Sequence, residues 1–325
     1  MASMTMLAAI RETLLDEMAR DGRVVLLGED IAANGGVFRA TDGALDRFGP
    51  RRVFDTPISE SAIVGASVGL SIAGLVPVVE IQFGGFTMQA YHQLVGQLAR
   101  FRYRSRSRFH CPVTVRSAYG GGVRTPEHHS DSVEAPYAHA PGLSVVVPSN
   151  AADAKGLLAT AVRSEDPVLV FEPIPCYRTT GEVPDGEHLV PLGVAREVRA
   201  AEDAVIITWG AMVDVAVAAA DVAHERRGAR VGVIDLRSLA PLDIDTIVRA
   251  AERCGRVVVV HEAPLTGGFG AEVVATLQEE AFYSLEAPIR RVAGVDVGSA
   301  PPLVEDWCRP DVARILAALD ASLDA

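Results

Sequence analysis

At 325 residues the chain exceeds what one ordinary hydrophobic core supports and fits two domains. Its hydrophobic fraction of 49% against 22% charged residues excludes intrinsic disorder. The formal charge of -12 argues against nucleic acid as the main partner, because phosphate binding needs a basic surface, and suits a positively charged protein partner.

Leu7, Ile10, Leu14 and Met18 recur at helical spacing and predict an amphipathic first helix. Val24 to Leu27 is a continuous apolar run, the pattern of a parallel strand covered on both faces. A helix rich in Ala, Gly and Ser follows at 60–74, then a strand at 76–83, a helix at 87–103, and strands at 112–117, 143–147 and 167–171, with a helix between the last two. From Pro173 to about Val190 the periodicity is lost among Pro, Gly and Glu residues, which reads as a linker. Beyond it strands at 204–209, 229–236 and 256–261 alternate with helices at 211–227, 243–252 and 270–282. Alternation in both halves predicts two α/β domains with mostly parallel sheets, divided as 1–175, a linker at 176–200, and 201–325.

Cys111, Cys176, Cys254 and Cys308 are far apart and form no CxxC pair, so neither a disulfide framework nor a zinc site is expected. No apolar run reaches the ~20 residues that span a bilayer. The N-terminus carries no apolar signal core, and Glu12, Asp16 and Glu17 count against a transit peptide, so the expected location is cytoplasmic with no membrane contact.

In parallel sheets function gathers in loops beyond the carboxyl ends of the strands. Three such segments stand out. Asp55-Thr56-Pro57-Ile58-Ser59-Glu60 places a carboxylate at a helix start, where on spacing alone a cap is the better reading. Gly120-Gly121-Gly122 precedes Glu127-His128-His129-Ser130-Asp131-Ser132, a loop fit to press against a ligand or another chain, with acid–base or hydrogen-bonding roles for its histidines ahead of zinc. Thr266-Gly267-Gly268-Phe269-Gly270 lacks dinucleotide-fingerprint spacing, and close packing of the turn is its preferable account. Arg102, Arg104, Arg106 and Arg108 form a basic strip that suits ion pairing at a subunit interface.

Taken together and in order, these segments resemble the β-subunits of the thiamine-diphosphate-dependent 2-oxo acid dehydrogenase decarboxylating component. The matching stretches include LGEDI at 27–31, GGVFRATDGAL at 35–45, RVFDTPISESAIVG at 52–65, VPVVEIQF at 76–83, HSDSVEA at 129–135, PGLSVVVPS at 141–149, LRSLAPLDIDTIV at 236–248 and VVVHEAPLTGGFGAE at 258–272. GGVFRAT and TPISESAI look most like the branched-chain members, with pyruvate and acetoin enzymes as close alternatives. The resemblance implies a pyrimidine-type thiamine-diphosphate-binding domain followed by a transketolase C-terminal-like domain. It also implies an α-subunit partner in an α2β2 heterotetramer, which holds the diphosphate and Mg2+ through a GDG…NN motif; no GDG tripeptide occurs here. A lipoylated dihydrolipoyl acyltransferase core would accept the product of 2-oxo acid decarboxylation.

The same resemblance gives Glu60 the role of hydrogen-bonding the cofactor's aminopyrimidine ring nitrogen and favouring its imino tautomer. Ile58, Gln82 and Phe86 would line the pyrimidine pocket, with Phe86 standing where Tyr is frequent. His129 matches the histidine of an HSQS segment that orients substrate or assists proton transfer to the lipoyl group; here Asp131 replaces the glutamine, Gly85 an aspartate, and His92 the first residue of an Asp-Gln pair. Backbone carbonyls of Val113, Ala161, Val162, Ser164 and Asp166 match a structural K+ site, with Ser164 in place of a common Asp. Glu279, Glu280, Glu286, Glu305 and Asp306 are candidates for docking a basic binding domain of the acyltransferase, against the plainer reading of a solvated acidic face. The rivals are a non-catalytic scaffold subunit that kept the fold and a nucleotide-binding oxidoreductase.

Overall fold

The computed structural model describes residues 1–298 and 300–325. In chain order its strands are β1 (Ala2–Thr5), β2 (Val24–Gly28), β3 (Val53–Asp55), β4 (Val76–Ile81), β5 (Thr114–Tyr119), β6 (Ser144–Val146) and β7 (Val168–Pro173). They continue with β8 (Thr180–Val183), β9 (Arg196–Arg199), β10 (Ala204–Thr208), β11 (Val231–Asp235), β12 (Ser238–Ala240), β13 (Val257–Pro264) and β14 (Arg290–Gly294).

One sheet runs β12-β6-β7-β5-β4-β2-β3, parallel except for β12 at its edge. The other runs β14-β13-β10-β11-β9, with only β9 antiparallel. Every residue of β2, β4, β5 and β7 is buried, as the continuous apolar runs predict for strands covered on both faces. The first helix, Met6–Arg20, starts at Thr5, whose side chain accepts from Ala8 N at 3.2 Å, and buries Ile10, Leu14 and Met18 against the sheet.

Besides short added elements such as β1 and β3, the structure departs from the sequence reading in ways that shape the fold. The helix expected at 87–103 is a 3-10 segment (Gly84–Ala90), a π-helical turn (His92–Leu98) and a short α-helix (Ala99–Arg104). His92 folds back over Gly96, where an added Cβ would lie 3.0 Å from the imidazole, and π turns of this kind recur near functional sites. The stretch read as linker contains β8, which pairs with β1, and β9; both are short and mostly polar, so periodicity does not reveal them. β12, from the second half of the sequence, completes the first sheet, so the two halves share a hydrogen-bonded edge as well as apolar contacts. Finally, β14 and the helix Val312–Leu323 lie beyond the last predicted element; that helix is capped by Asp311 and buries Ile315, Leu316 and Leu319.

Candidate active site

From β2 the chain moves outward to β3, whereas from β4 it moves the other way, to β5. The crevice at the carboxyl ends of β2 and β4 is therefore the switch point of the first sheet, the place where such sheets bind ligands. Asp55, ending β3, accepts the backbone N–H groups of Ala32 (2.7 Å) and Ala33 (3.3 Å) and so pins the loop after β2. The chain then crosses the mouth through Thr56 to Ser59 and enters the helix Glu60–Ile72.

Glu60 is half-buried in the first turn of that helix. The side chain of its N-cap, Ser59, makes no capping hydrogen bond, and neither does the Glu60 carboxylate among the described residues. The adjoining Ser61 hydroxyl donates to Gln89 O, which ties this turn to Gly84–Ala90. Glu29, at the end of β2, faces Glu60. Burial, then the charge of Glu60, then that of Asp30 raise its pKa above the ordinary carboxylate value, and its Oε1 is buried without a partner. Glu29 lies in the LGEDI stretch at 27–31, which by itself assigns it no role; its charged side chain at the end of an apolar run is the signal that could have found it.

The other wall is aromatic. Phe86 lies edge-on to His129 (centroids 5.1 Å) and to Phe83 (6.0 Å), and Phe83 packs against His129 at 4.5 Å. His129 Nδ1 lies 2.9 Å from the carbonyl oxygen of Glu127. A carbonyl only accepts, so Nδ1 carries a proton, and Nε2 has no hydrogen-bond partner among the described residues. Gly85 is required at this wall: a Cβ there would come within 2.5 Å of His128 O and 2.7 Å of Asp131 Oδ2. Gln82 lines a small cavity behind the wall with Phe38, Glu80, Arg116 and Tyr177. Ile58 stands at the mouth, 83% exposed.

Beneath the crevice the strands carry charges that apolar periodicity conceals. Glu80 and Arg116 are register partners on β4 and β5, and their side chains pair at 2.8 Å. Arg116 also grips both oxygens of Glu172 at 2.8 Å, and Glu172 accepts from the Tyr177 hydroxyl at 2.7 Å. Burial raises the pKa of Glu80 and Arg116 opposes that shift. Such a network fixes geometry because removing one member leaves an uncompensated buried charge.

A second buried polar cluster lies between the sheets. Glu134 is fully buried at the start of the helix Glu134–Ala138, with Tyr119, Trp209 and Glu262 around it, and neither of its carboxyl oxygens completes a hydrogen bond. Burial pushes its pKa up to about 7. His261, stacked on Trp209 at 5.4 Å, is driven down to about 4 by burial. The ring of His261 also explains the turn at 266–270, since a Cβ on Gly268 or Gly270 would approach it to 2.5 or 2.4 Å. Close packing accounts for these glycines.

Glu134 carries a pH signature. A carboxyl raised from its ordinary 4.5 to about 7 binds its proton more tightly folded than unfolded. Its contribution is fully present below pH ~4.5 and is lost as pH rises through ~7. The thermal midpoint of the wild-type chain is expected to fall between pH 5 and 8, and Glu134→Gln to flatten that fall. An unchanged slope in the variant would remove Glu134 as its source.

The proposed docking acids divide. Glu279 and Glu280 are exposed, and Glu286 is exposed but paired with Arg256. Asp306 pairs with Arg124 at 2.6 Å, and Glu305 is 3% exposed, bonded to backbone within the molecule. Glu305 therefore cannot belong to a docking face. In the basic strip, Arg102 pairs with Asp166 (2.6 Å) and Glu165 (3.1 Å) of the same chain.

Comparison with known proteins bears on this arrangement. Residues 2–179 match the transketolase pyrimidine binding domain and residues 193–315 the transketolase C-terminal domain. The fold is that of a split-gene transketolase described as an inactive beta4 tetramer (TM-score 0.81, 24% identity, 99% of both chains) and of the transketolase from Leishmania mexicana (TM-score 0.68, 19% identity, 100% of this chain and 46% of that one). Among curated proteins, the 3-methyl-2-oxobutanoate dehydrogenase subunit beta of Mycobacterium tuberculosis is 47% identical over 97% of this chain and 90% of its own. The pyruvate dehydrogenase E1 component subunit beta of Bacillus subtilis is 49% identical over 91% of each. Fold and site thus define a thiamine-diphosphate-binding protein of the transketolase fold. The chain belongs to the family of 2-oxo acid dehydrogenase β-subunits, enzymes of lipoamide-linked oxidation.

The crevice suits the pyrimidine end of that cofactor. It offers a buried carboxyl oxygen without a partner on Glu29, an uncommitted carboxylate on Glu60, and an aromatic wall at Phe86. Among the described residues no helix is long and apolar enough to cross a membrane.

Proposed function

We propose that the chain is the pyrimidine-side β-subunit of a branched-chain 2-oxo acid dehydrogenase acting on acids of the 3-methyl-2-oxobutanoate type. In this reading it works in an α2β2 heterotetramer whose α-subunit holds the diphosphate and Mg2+, and lipoyl groups of a dihydrolipoyl acyltransferase core receive the acyl group. The observation that carries the partnership is Ile58: a large apolar side chain beside the unpartnered Glu60 is 83% exposed. Next to it an open apolar groove runs along Leu27, Phe54, Ala62, Ala66 and Leu70. A pocket wall left bare in this way needs a second surface to complete it.

Bound thiamine diphosphate supplies the electron sink for decarboxylation. Glu60 holds a proton at the aminopyrimidine ring nitrogen, and Glu29, its ionisation disfavoured by burial and by Glu60, lies beside it with a carboxyl oxygen free of partners. Ile58, Gln82 and Phe86 confine the ring. His129, with Nε2 free, takes or gives a proton during transfer to the lipoyl group. The K+ reading rests on carbonyls of Ala161 and Val162 in the last turn of the helix Ala151–Val162, the negative end of its dipole. The carbonyl of Val113 accepts from Val168 N, with one lone pair left for a cation, and that of Ala161 accepts from Ser164 N and Arg163 N; Ser164 and Asp166 would add theirs. The units 1–175 and 201–325, with the connecting residues 176–200 contributing β8 and β9, and a cytoplasmic location complete the reading, the latter supported by four free cysteines.

The alternative substrate is pyruvate, favoured by the 49% identity to the Bacillus subtilis subunit. A panel of 2-oxo acids assayed with the reconstituted αβ enzyme decides between them. The branched-chain reading predicts higher kcat/KM for 3-methyl-2-oxobutanoate than for pyruvate. The margin should be about tenfold or more, because a methylene in an apolar pocket contributes ~1–3 kcal/mol. Pyruvate as the best substrate would overturn the choice of acid and leave the reaction class standing.

A further inference from the structure

The loop between β5 and the helix Glu134–Ala138 carries His129, and the second domain holds it. Glu262, at the end of β13, accepts the backbone N–H of Gly121. Glu305 accepts two more N–H groups, with Oε1 on Gly122 and Oε2 on Arg124 (2.7 Å). Arg309 Nε bonds Glu262 Oε1 at 3.1 Å, and the Arg124 guanidinium reaches Asp306 at 2.6 Å. Glu305 is 3% exposed and Glu262 9%, so their charge-assisted bonds to the loop backbone are largely shielded from water, whereas the Arg124–Asp306 pair is exposed.

The three glycines are explained by this contact. A Cβ on Gly120 would meet the Glu262 carboxylate at 3.2 Å, on Gly121 the Glu305 Oε1 at 2.2 Å, and on Gly122 the Arg309 Nη1 at 2.5 Å. Gly120 and Gly122 also have φ of +83° and +90°. What presses on this loop is the second domain.

The loop also holds strain. Arg124 and His128 have φ of 54° and 69°, a region costly for side chains with a Cβ, and such conformations persist only where their surroundings fix them. At the base of the loop Gly120 N bonds Asp131 O (3.3 Å), and across it Thr125 Oγ1 meets Ser130 Oγ at 2.6 Å. Glu305 is bonded to Arg124 itself, one of the two strained positions.

We propose that Glu305 is a positioning residue for His129: from the second domain it sets the shape of residues 120–131 and thereby the aim of the imidazole. The inference rests on the acyl-transfer role given to His129 above. Glu305 touches neither Glu60 nor the ends of β2 and β4 and reaches the crevice only through the loop of His129, so its effect falls chiefly on transfer to the lipoyl group and far less on decarboxylation.

The test uses the reconstituted αβ enzyme with thiamine diphosphate and the preferred 2-oxo acid. Decarboxylation is read with a dye as electron acceptor, and reductive acylation is read separately with a lipoyl domain. Glu305→Ala is expected to lower reductive acylation on the order of 10²-fold, the scale of a 1 Å misplacement, with dye-coupled turnover changing far less. Glu305→Gln, whose amide oxygen still accepts one N–H, should recover part of the loss, and it carries the test alone if the Ala variant does not fold. Amide hydrogen exchange at Gly121, Gly122 and Arg124 should rise in both variants.

His129→Ala, run beside them, separates the two ideas. If it abolishes reductive acylation while Glu305→Ala and Glu305→Gln leave it intact, the positioning proposal is overturned. If His129→Ala leaves reductive acylation intact, the reading of His129 fails and the proposal falls with it. Equal losses in the dye and lipoyl assays would assign Glu305 a general structural role and would also overturn it.

Discussion

Glu60→Gln in the assembled enzyme is expected to keep its thermal midpoint and subunit contacts while slowing C2 hydrogen–deuterium exchange of bound thiamine diphosphate by at least ~10²–10⁴-fold, the range that general acid–base groups commonly contribute. Glutamine keeps the shape and one hydrogen bond, but it cannot hold and release the proton that a carboxyl group holds at the ring nitrogen. The position supports a chemical role over a structural one. Glu60 sits in the first turn of Glu60–Ile72, where a carboxylate would ordinarily satisfy free N–H groups, yet it caps none among the described residues. Its neighbour is Glu29, a second acid whose ionisation Glu60 already disfavours. Were Glu60 only a cap, the same change would cost about 1 kcal/mol of stability and spare exchange. Near-normal exchange in a well-assembled variant would return Glu60 to that structural role.

Particular residues show how far the sequence carried the fold and the site. The runs at Val24–Leu27 and from Val76 are legible because a strand covered on both faces must be apolar throughout. The same rule conceals Glu80, Arg116 and Glu172, which sit in such strands only because register and side-chain reach pair them. β1, β8 and β9 are short and mostly polar, and hydrogen bonds to distant partners, not local periodicity, make them strands. The helix at 87–103 reads as one element, but its backbone passes through three helical geometries while His92 packs over Gly96.

The candidate site divides in the same way. Glu60 was visible in its segment, and resemblance gave it a chemical role that spacing alone would not have chosen. Gly120 to Gly122 read as a loop pressed against a ligand or another chain, whereas what meets them is the second domain of the same chain. Its counterparts, Glu262 and Glu305, lie more than 130 residues further along the chain, and no local pattern joins them to the loop. Glu305 could be taken for a surface acid because sequence charge carries no record of burial; its two backbone bonds account for its 3% exposure.

The central claim is that this chain is one half of an active site, and decarboxylation by the chain alone against the chain with its α-subunit tests it most directly. On the proposed reading the α-subunit should complete the crevice over Ile58, which is 83% exposed here, and supply the diphosphate and Mg2+ side, for which this sequence carries no GDG tripeptide. Rigorously purified chain, given thiamine diphosphate, Mg2+ and a 2-oxo acid, is expected to release no carbon dioxide above background and to bind the cofactor weakly. Adding the α-subunit should restore turnover in proportion to the α2β2 complex formed. Measurable turnover by the purified chain on its own would contradict the account, because the groups gathered between β2 and β4 would then have to complete the site without a partner.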